Sequence, residues 1–311
     1  MSSVNNSIEA AQAQMMCCCA SCGIAEVDDV KLKPCDGCDL VSYCSDTCKE
    51  DHWPEHETSC KERAAEKRDE ILFEQPESTH LGDCPICCLP LYPFNDREKT
   101  TLHSCCCKRI CNGCFYANEL RQWEENMILS CPFCRHPQPK TVEEFNKNIM
   151  KRVAVNDPAA LGQLGLRHFY REEYDKTFEY YTKAAELGDM NAHFNLSVMY
   201  MQGQGVEKDE TKKIFHLEEA AIGGHVYARH NLGCYEQRKG RNDRAVKHWT
   251  IAANLGHDPS MKSLKEYYKH GLVSKEDFAA ALRAHQAAVD ATKSPQREAA
   301  EKAQKWRLPS K

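Results

Sequence analysis

The second half of the chain has a helical pattern that recurs at a nearly constant interval. Three segments, 180–200, 216–236 and 248–268, align directly with one another, and each has an Ala-Ala pair, a glycine and then an apolar helical stretch. The marker alanines of these segments lie 36 and 32 residues apart, at Ala185, Ala221 and Ala253. An earlier unit begins near residue 157. Repeats of this length predict helical units that stack into a solenoid with an elongated concave face.

These repeats resemble Sel-type tetratricopeptide-like repeats, whose units are antiparallel helix pairs. We place about four units in 157–290, the last of them degenerate, and predict a charged tail over 291–311. Glycines that follow the paired alanines are predicted to end helices in left-handed caps, at Gly188, Gly223 and Gly256. Ser274, with an acid three residues later, is predicted to cap a helix in the last unit.

The first 134 residues have a different composition, since they hold nineteen of the twenty cysteines. Residues 1–16 are polar and are predicted to be a disordered lead-in; they lack the basic start and apolar run of a secretory signal. No stretch of the chain approaches the roughly 18 apolar residues of a membrane span. We therefore expect an intracellular protein, cytoplasmic or nuclear. In a reducing compartment, closely spaced cysteine pairs indicate metal ligands and not disulfides.

The first cysteine cluster, 17–60, contains four pairs of potential ligands with short internal spacing. The pairs are Cys19 and Cys22, Cys35 and Cys38, Cys44 and Cys48, and His56 and Cys60. Eight ligands suffice for two tetrahedral Zn²⁺ sites. A segment this short buries little apolar core, so metal must supply its stability, on the order of 10 kcal/mol for each structural zinc.

The order of these ligands and the phrase "YCSDTCKEDHWPEHETSC" resemble the MYND zinc finger. The resemblance implies interleaved sites, one formed by the first and third pairs and the other by the second and fourth. It also implies binding of short proline-containing peptides. Residues 61–83 begin as a charged helical pattern and end in turn-forming residues, and are predicted to be a linker.

The second cysteine cluster, 84–135, contains three clear pairs, so two further ligands must come from "HSCCC". The pairs are Cys84 and Cys87, Cys111 and Cys114, and Cys131 and Cys134. The pattern "CPIC…CNGC…CPFCR" resembles a RING finger. The spacing in that family favours Cys105 and Cys107 as the missing ligands, with Cys106 as a substitute for one of them and His103 with Cys107 as a less typical alternative. Residues 136–156 are predicted to be a second linker.

The family's cross-brace then implies one zinc held by Cys84, Cys87, Cys111 and Cys114, and another held by Cys105, Cys107, Cys131 and Cys134. The whole chain would carry about four Zn²⁺. The set is all cysteine, which departs from the usual single histidine and leaves the RING subtype open. Each closed site would be structural, because no coordination position is left for a reacting water.

RING fingers bind a ubiquitin-conjugating enzyme and promote ubiquitin transfer. By that resemblance, Ile86, Pro132 and Arg135 are predicted to contact such an enzyme. An arginine suits this role because its fork of donors can bridge two carbonyl groups. Trp123 lies further from Cys114 than the groove-lining tryptophan of the family usually does. Whether the chain is an enzyme is therefore uncertain at this stage.

The pattern as a whole predicts a multidomain protein, with two small double-zinc modules followed by an all-α helical-repeat solenoid. The leading hypothesis is a RING-type ubiquitin ligase whose MYND-like finger and repeats recruit other proteins through short peptide motifs. The alternative is a non-catalytic zinc-stabilised scaffold. A net charge of −5 and finger helices without base-reading side chains disfavour nucleic acid. No membrane partner is indicated.

Overall fold

The computed structural model describes residues 18–27, 29–93 and 99–307. The predicted lead-in at 1–16 and Cys17 lie outside the described residues. The chain divides into two compact units, residues 1–74 and 75–311. Within the described residues, no helix is both long enough and apolar enough to cross a membrane.

The first unit consists of a small hairpin and one long helix. Strands β1 (Lys33–Pro34) and β2 (Ser42–Tyr43) pair antiparallel, and helix α1 spans Asp46–Leu72. The hydroxyl of Ser45 caps α1 by accepting a hydrogen bond from the backbone N–H of Cys48 at 3.2 Å. The helix continues through much of the segment predicted as a linker, where exposed ion pairs such as Lys61–Glu57 cover its surface.

The second unit begins with the second cysteine cluster. Strands β3 (Thr100–His103) and β4 (Lys108–Cys111) form an antiparallel hairpin, with His103 opposite Lys108. The turn between them is 104–107, which contains the three consecutive cysteines. Helix α2 (Asn112–Glu124) follows β4 directly. Ile110 and Leu91 are buried among the cysteines and form the small apolar core of this module.

The remainder of the second unit is helical, and from residue 142 to residue 291 each helix contacts the next along the chain. Helix α3 lies within the segment predicted as a linker, 136–156, and its Ile149 packs beside Cys107 and Ala160. The helices are α3 (Val142–Val153), α4 (Pro158–Phe169), α5 (Tyr174–Glu186), α6 (Met190–Gln202), α7 (Glu210–Ile222), α8 (Val226–Arg238), α9 (Asn242–Asn254), α10 (Asp258–Lys269), α11 (Lys275–Ala291) and α12 (Pro295–Arg307).

The helix ends confirm most of the predicted caps and correct one. Ser274 Oγ accepts a hydrogen bond from the N–H of Asp277 at 3.0 Å, as expected for an N-cap. Gly188 and Gly256 have φ of 86° and 85°. Gly223, however, has φ −74°, and the left-handed residue of that repeat is Gly224 with φ 80°. The second repeat has two consecutive glycines, and the turn uses the later one.

The end of the chain differs from the charged tail predicted for 291–311. Helix α12 packs against α2 of the cysteine module, and its Ala300 is only 1% exposed. A sequence rich in Lys, Glu and Gln predicts solvent exposure on all sides. The small residue Ala300 nevertheless gives one face on which α12 can approach the module.

Candidate metal centres and the adjoining cleft

The first unit brings its eight predicted ligands together as two groups of four. One group is Cys19, Cys22, Cys44 and Cys48, and the other is Cys35, Cys38, His56 and Cys60; the ligand atoms of each lie within 4.8 Å of one another. The Sγ atoms of Cys22 and Cys44 are 3.6 Å apart. Zinc–sulfur bonds of about 2.3 Å in a tetrahedron place neighbouring sulfurs about 3.8 Å apart. The geometry therefore fits tetrahedral zinc.

His56 has the environment expected of a zinc ligand. Its Nε2 lies 3.3 Å from Cys38 Sγ, and its Nδ1 lies 3.3 Å from the hydroxyl of Ser59. A hydrogen bond to the non-ligating nitrogen fixes the tautomer and orients the ring. Burial lowers the pKa of His56, which favours the neutral imidazole that a metal requires. His52 stacks on His56 with 5.6 Å between ring centroids, but belongs to neither ligand group.

The second unit holds two further groups. Cys84, Cys87, Cys111 and Cys114 form the first of them, with 3.8 Å between the sulfurs of Cys87 and Cys111. The backbone N–H of Cys111 points at Cys84 Sγ at 3.5 Å. A hydrogen bond from the Cys111 side chain and further backbone donors lower the pKa of Cys84 to about 4, in spite of burial. Such an environment stabilises the thiolate that binds metal.

The last group differs from the predicted ligand set at one position. It consists of Cys105, Cys106, Cys131 and Cys134, with Cys105 Sγ 3.3 Å from Cys134 Sγ and Cys106 Sγ 3.9 Å from Cys131 Sγ. Cys107, predicted as a ligand, is instead buried beside Ile149 of α3, where burial raises its pKa to about 12. The alternative ligand His103 is also outside the group and packs near Phe115.

A common turn geometry explains why Cys107 is left out. In four of the Cys-x-x-Cys turns, the residue after the second cysteine is left-handed and donates its backbone N–H to the carbonyl of the first; these residues are Gly23, Asp39, Cys88 and Arg135. Cys107 has φ 52° and makes the same bond to the carbonyl of His103 at 2.8 Å. The left-handed residue follows the ligands and does not join them, so Cys106 is the last ligand of its turn.

A cleft adjoins the second module. It has a volume of about 660 Å³ and lies between the β3–β4 hairpin and the first turns of α4, α6 and α8. Its apolar wall includes Leu102, Phe133, Phe194 and Tyr227, and its polar wall includes Lys108, Arg109, Gln163, Asp189, Asn191, Asn195 and His225. Three helix N-termini therefore point their partial positive charge toward the same cavity.

Two charged side chains set the electrostatics of this cleft. Arg109 Nη1 donates to Thr100 Oγ1 at 3.2 Å, and burial lowers the pKa of its guanidinium while the nearby Asp189 opposes that shift. Burial raises the pKa of Asp189, whose Oδ1 accepts the N–H of Asn191 at 2.9 Å as the cap of α6. Thr100 thus takes one of the five donors that an arginine side chain offers.

The segment before the module forms part of the cleft wall. His80 stacks on His225 with ring centroids 4.3 Å apart, and Phe194 stacks on His225 at 4.6 Å. His80 Nε2 lies 3.1 Å from Asn191 Oδ1, and the backbone N–H of His80 donates to the carbonyl of Gly224 at 3.1 Å. No spacing in the sequence links His80 or Arg109 to the repeats, because Asn191 lies 111 residues from His80 and Asp189 is also remote from Arg109 along the chain.

Comparison with known families agrees with two of the three predicted parts. Residues 19–60 match the model of the MYND finger, and residues 158–189, 191–225 and 226–257 match the model of the Sel1 repeat. The chain contains a MYND finger and Sel1 repeats. The resemblance of 84–135 to a RING finger stays a prediction.

Curated relatives match over short stretches only. Two proteins of Helicobacter pylori strains, both named "Putative beta-lactamase HcpC", are 39% identical over 56 residues and 37% identical over 60 residues. These matches cover 18% and 19% of this chain, and 19% and 21% of the relatives. The chain thus spans about a fifth of the length of these relatives.

Two solved structures match part of the chain. A Sel1 repeat protein from Oxalobacter formigenes is 26% identical with a TM-score of 0.42, covering 57% of this chain and 72% of that one. The protective antigen c5321 of uropathogenic Escherichia coli, which displays an SLR fold, is 22% identical with a TM-score of 0.38, covering 64% and 41%.

The MYND finger and the tetrads of the second module together indicate about four zinc ions for each chain. Each group offers four thiol or imidazole donors, which fills a tetrahedral shell and suits a structural role. The sequence prediction of zinc is confirmed. Protein interaction is the shared role of the parts around these sites, as MYND fingers and Sel1 repeats are interaction modules.

The three predicted contacts for a conjugating enzyme lie at the knuckles of the second module. Ile86 is 42% exposed between Cys84 and Cys87, and Arg135 is an exposed, left-handed residue after Cys134. Pro132 is half-buried between Cys131 and Cys134. Trp123 on α2 is 76% exposed, so it does not pack into the core of its module.

Proposed function

We propose that this chain is a zinc-stabilised adaptor that binds an extended peptide segment of a partner protein in the cleft between the second cysteine module and the Sel1 repeats. The observation that carries this proposal is the cleft itself. Its volume of about 660 Å³ lies within the range of ligand pockets, and its walls come from two modules. Zinc has no direct part in binding and serves to fix the hairpin that forms one wall.

The composition of the walls favours a peptide over a small apolar molecule. The rings of Phe194 and Tyr227 offer apolar surface, while the side-chain amide of Asn195 offers a donor and an acceptor to a peptide backbone. Arg109 and Lys108 offer cations to an acidic side chain of the bound segment, and Asp83 and Asp189 offer carboxylates to a basic one. The expected ligand is therefore an extended peptide with a charged residue beside an apolar one.

The proposal is tested by selecting peptides from a displayed random library against the full-length zinc-loaded chain. Enriched sequences should contain a charged residue beside an apolar one, and their affinity should fall about tenfold or more in Asn195→Ala and Tyr227→Ala, a loss of about 1.4 kcal/mol. Tyr170→Ala, on an exposed tyrosine outside the cleft, is the matched control and should bind normally. Selected peptides that bind all three variants as well as the wild type would refute the cleft as the binding site.

A second candidate function is ubiquitin ligation through the second module. It is favoured by the interleaved arrangement of its two tetrads and by the exposure of Ile86 and Arg135 beside them. In this proposal the adaptor surfaces recruit a substrate, and the nucleophile belongs to the conjugating enzyme.

Ligation is tested with a panel of conjugating enzymes, activating enzyme, ubiquitin and ATP. Ubiquitin chains that disappear in Ile86→Ala and in Arg135→Ala, while zinc content is kept, would support it. Leu282→Ala, on an exposed leucine of α11, is the control for loss of surface apolar area. If no conjugating enzyme in the panel forms ubiquitin chains with this protein, ligation is contradicted and the non-catalytic adaptor is supported.

A further inference from the structure

The tetrad of Cys84, Cys87, Cys111 and Cys114 is contacted by a cation from the far end of the chain. We propose that Arg297 of α12 is a positioning residue for this tetrad, and that α12 is a latch which slows the loss of its zinc. The inference rests on zinc occupancy and does not depend on the proposed peptide binding or ligation.

The guanidinium of Arg297 is held over the first ligand loop by four hydrogen bonds. Its Nη2 donates to Cys87 Sγ at 3.5 Å and to the carbonyl of Leu89 at 3.1 Å. Its Nη1 donates to the carbonyls of Pro90 and Thr292, both at 2.7 Å. One side chain therefore joins a ligand sulfur, the backbone that follows it, and the turn before α12.

Charge explains why this tetrad needs a cation. Four thiolates around Zn²⁺ carry a formal charge of about −2. In this tetrad Cys84, Cys111 and Cys114 are buried, at 0%, 2% and 6% exposure, so water screens that charge poorly. A guanidinium that donates to a ligand sulfur compensates part of this charge through a charge-assisted hydrogen bond.

The other two all-cysteine tetrads are open to solvent. Each has an exposed cysteine, Cys22 in the MYND finger and Cys134 in the second module. Water can hydrogen-bond those sulfurs and screen their charge. The cation from α12 thus lies at the one all-cysteine tetrad, among the described residues, that has no exposed ligand.

The backbone at Gly113 allows α12 to approach the tetrad closely. Gly113 lies between the ligands Cys111 and Cys114, and a methyl group there would come within 2.7 Å of the backbone nitrogen of Arg297 and 2.9 Å of its Cα. Such distances are far below van der Waals contact, so a side chain at Gly113 would push α12 away. Lys99 and Glu301 add an ion pair at 3.2 Å across the same contact.

The inference is tested by the rate at which the zinc-loaded full-length chain releases metal to an excess of a chromogenic chelator. In Arg297→Gln, one zinc in about four should leave about tenfold faster while the others keep their rates. Arg297→Lys should restore part of the retention, because it returns the charge without the fork of donors. Arg283→Gln, at an exposed arginine of α11, is the control and should release zinc as the wild type does.

A second variant distinguishes the effect of the Arg297 guanidinium from the effect of docking α12. Ala300→Glu places a charge on the buried face of α12 and should undock it, which hydrogen exchange of 295–303 would report. The same single zinc should then leave faster, although Arg297 is present. Unchanged release in Arg297→Gln, or unchanged release with α12 undocked, would overturn the inference.

Discussion

Gly233 of α8 lies directly against the indole ring of Trp249 of α9. A methyl group on Gly233 would stand 2.4 Å from Trp249 Nε1 and 2.6 Å from its Cδ1. The same relationship occurs two repeats earlier, where a methyl group on Gly165 would stand 2.7 Å from Cδ1 of Tyr181. Each glycine thus admits a large ring from the next helix, and this contact sets how closely neighbouring Sel1 helices pack.

Gly233→Ala should therefore destabilise the repeats, because the buried indole must shift to accept the added carbon. Overpacking of this kind costs about 1–3 kcal/mol. Urea denaturation followed by tryptophan fluorescence measures the loss. Lys265→Ala, on an exposed helical position, should change the free energy of unfolding by less than about 0.5 kcal/mol. Equal stability of Gly233→Ala and wild type would show that the ring has room to move.

The zinc content of serine variants should show which of the three consecutive cysteines binds metal. Cys106→Ser removes a sulfur that lies 3.9 Å from Cys131 Sγ, so native mass spectrometry should find one zinc fewer than in the wild type. Cys107→Ser alters a thiol packed near Ile149 and should keep the full zinc content. Loss of one zinc in Cys107→Ser with full zinc content in Cys106→Ser would instead support Cys107 as the ligand, as RING spacing predicts.

The buried histidines should make the repeats sensitive to acid. His248 of α9 is 0% exposed, and burial together with nearby Arg229 and Arg244 lowers its pKa to about 3. The unfolded chain takes up this proton below about pH 6.5, whereas the folded chain does not. Stability is therefore present above about pH 6.5 and is lost as the pH falls toward about 3.

Hydrogen exchange of α9, corrected for the intrinsic rate, measures this loss. The free energy of opening should fall by about 2 kcal/mol between pH 7 and pH 5 on account of His248 alone. His248→Gln should remove that part of the decline, because glutamine does not titrate. A decline of the same size in the variant would assign the acid sensitivity to other groups, such as His257, whose pKa is also lowered to about 3.

The sequence was sufficient to predict the repeats and nearly all of the cysteine and histidine side chains that the structure brings together in groups of four. Repeats can be detected from their periodicity, and ligand pairs can be detected from their short spacing. Both are local properties of the chain. The structure differs from the prediction at Cys107 because spacing does not report the handedness of a turn. A left-handed residue after the ligand pair excludes Cys107, and no count of residues distinguishes it from Cys106.

The cleft and the latch could not be predicted because they depend on contacts between distant segments. Arg297 donates to Cys87 across 210 residues of chain, and His80 contacts Asn191 across 111. Each of these residues has an ordinary local context, one in a charged helical stretch and the other among turn formers. Only the packing of helices on the cysteine module gives them a role.

Coordinated zinc is the expected source of order in both cysteine modules, and hydrogen exchange after zinc removal by a strong chelator tests this most directly. Peptides from 18–60 and 84–135 should lose protection, while peptides from α6 to α9 should keep theirs, because buried apolar side chains such as Leu196 and Trp249 hold those helices. Cysteine modules that stay protected in the metal-free, reduced chain would contradict the account.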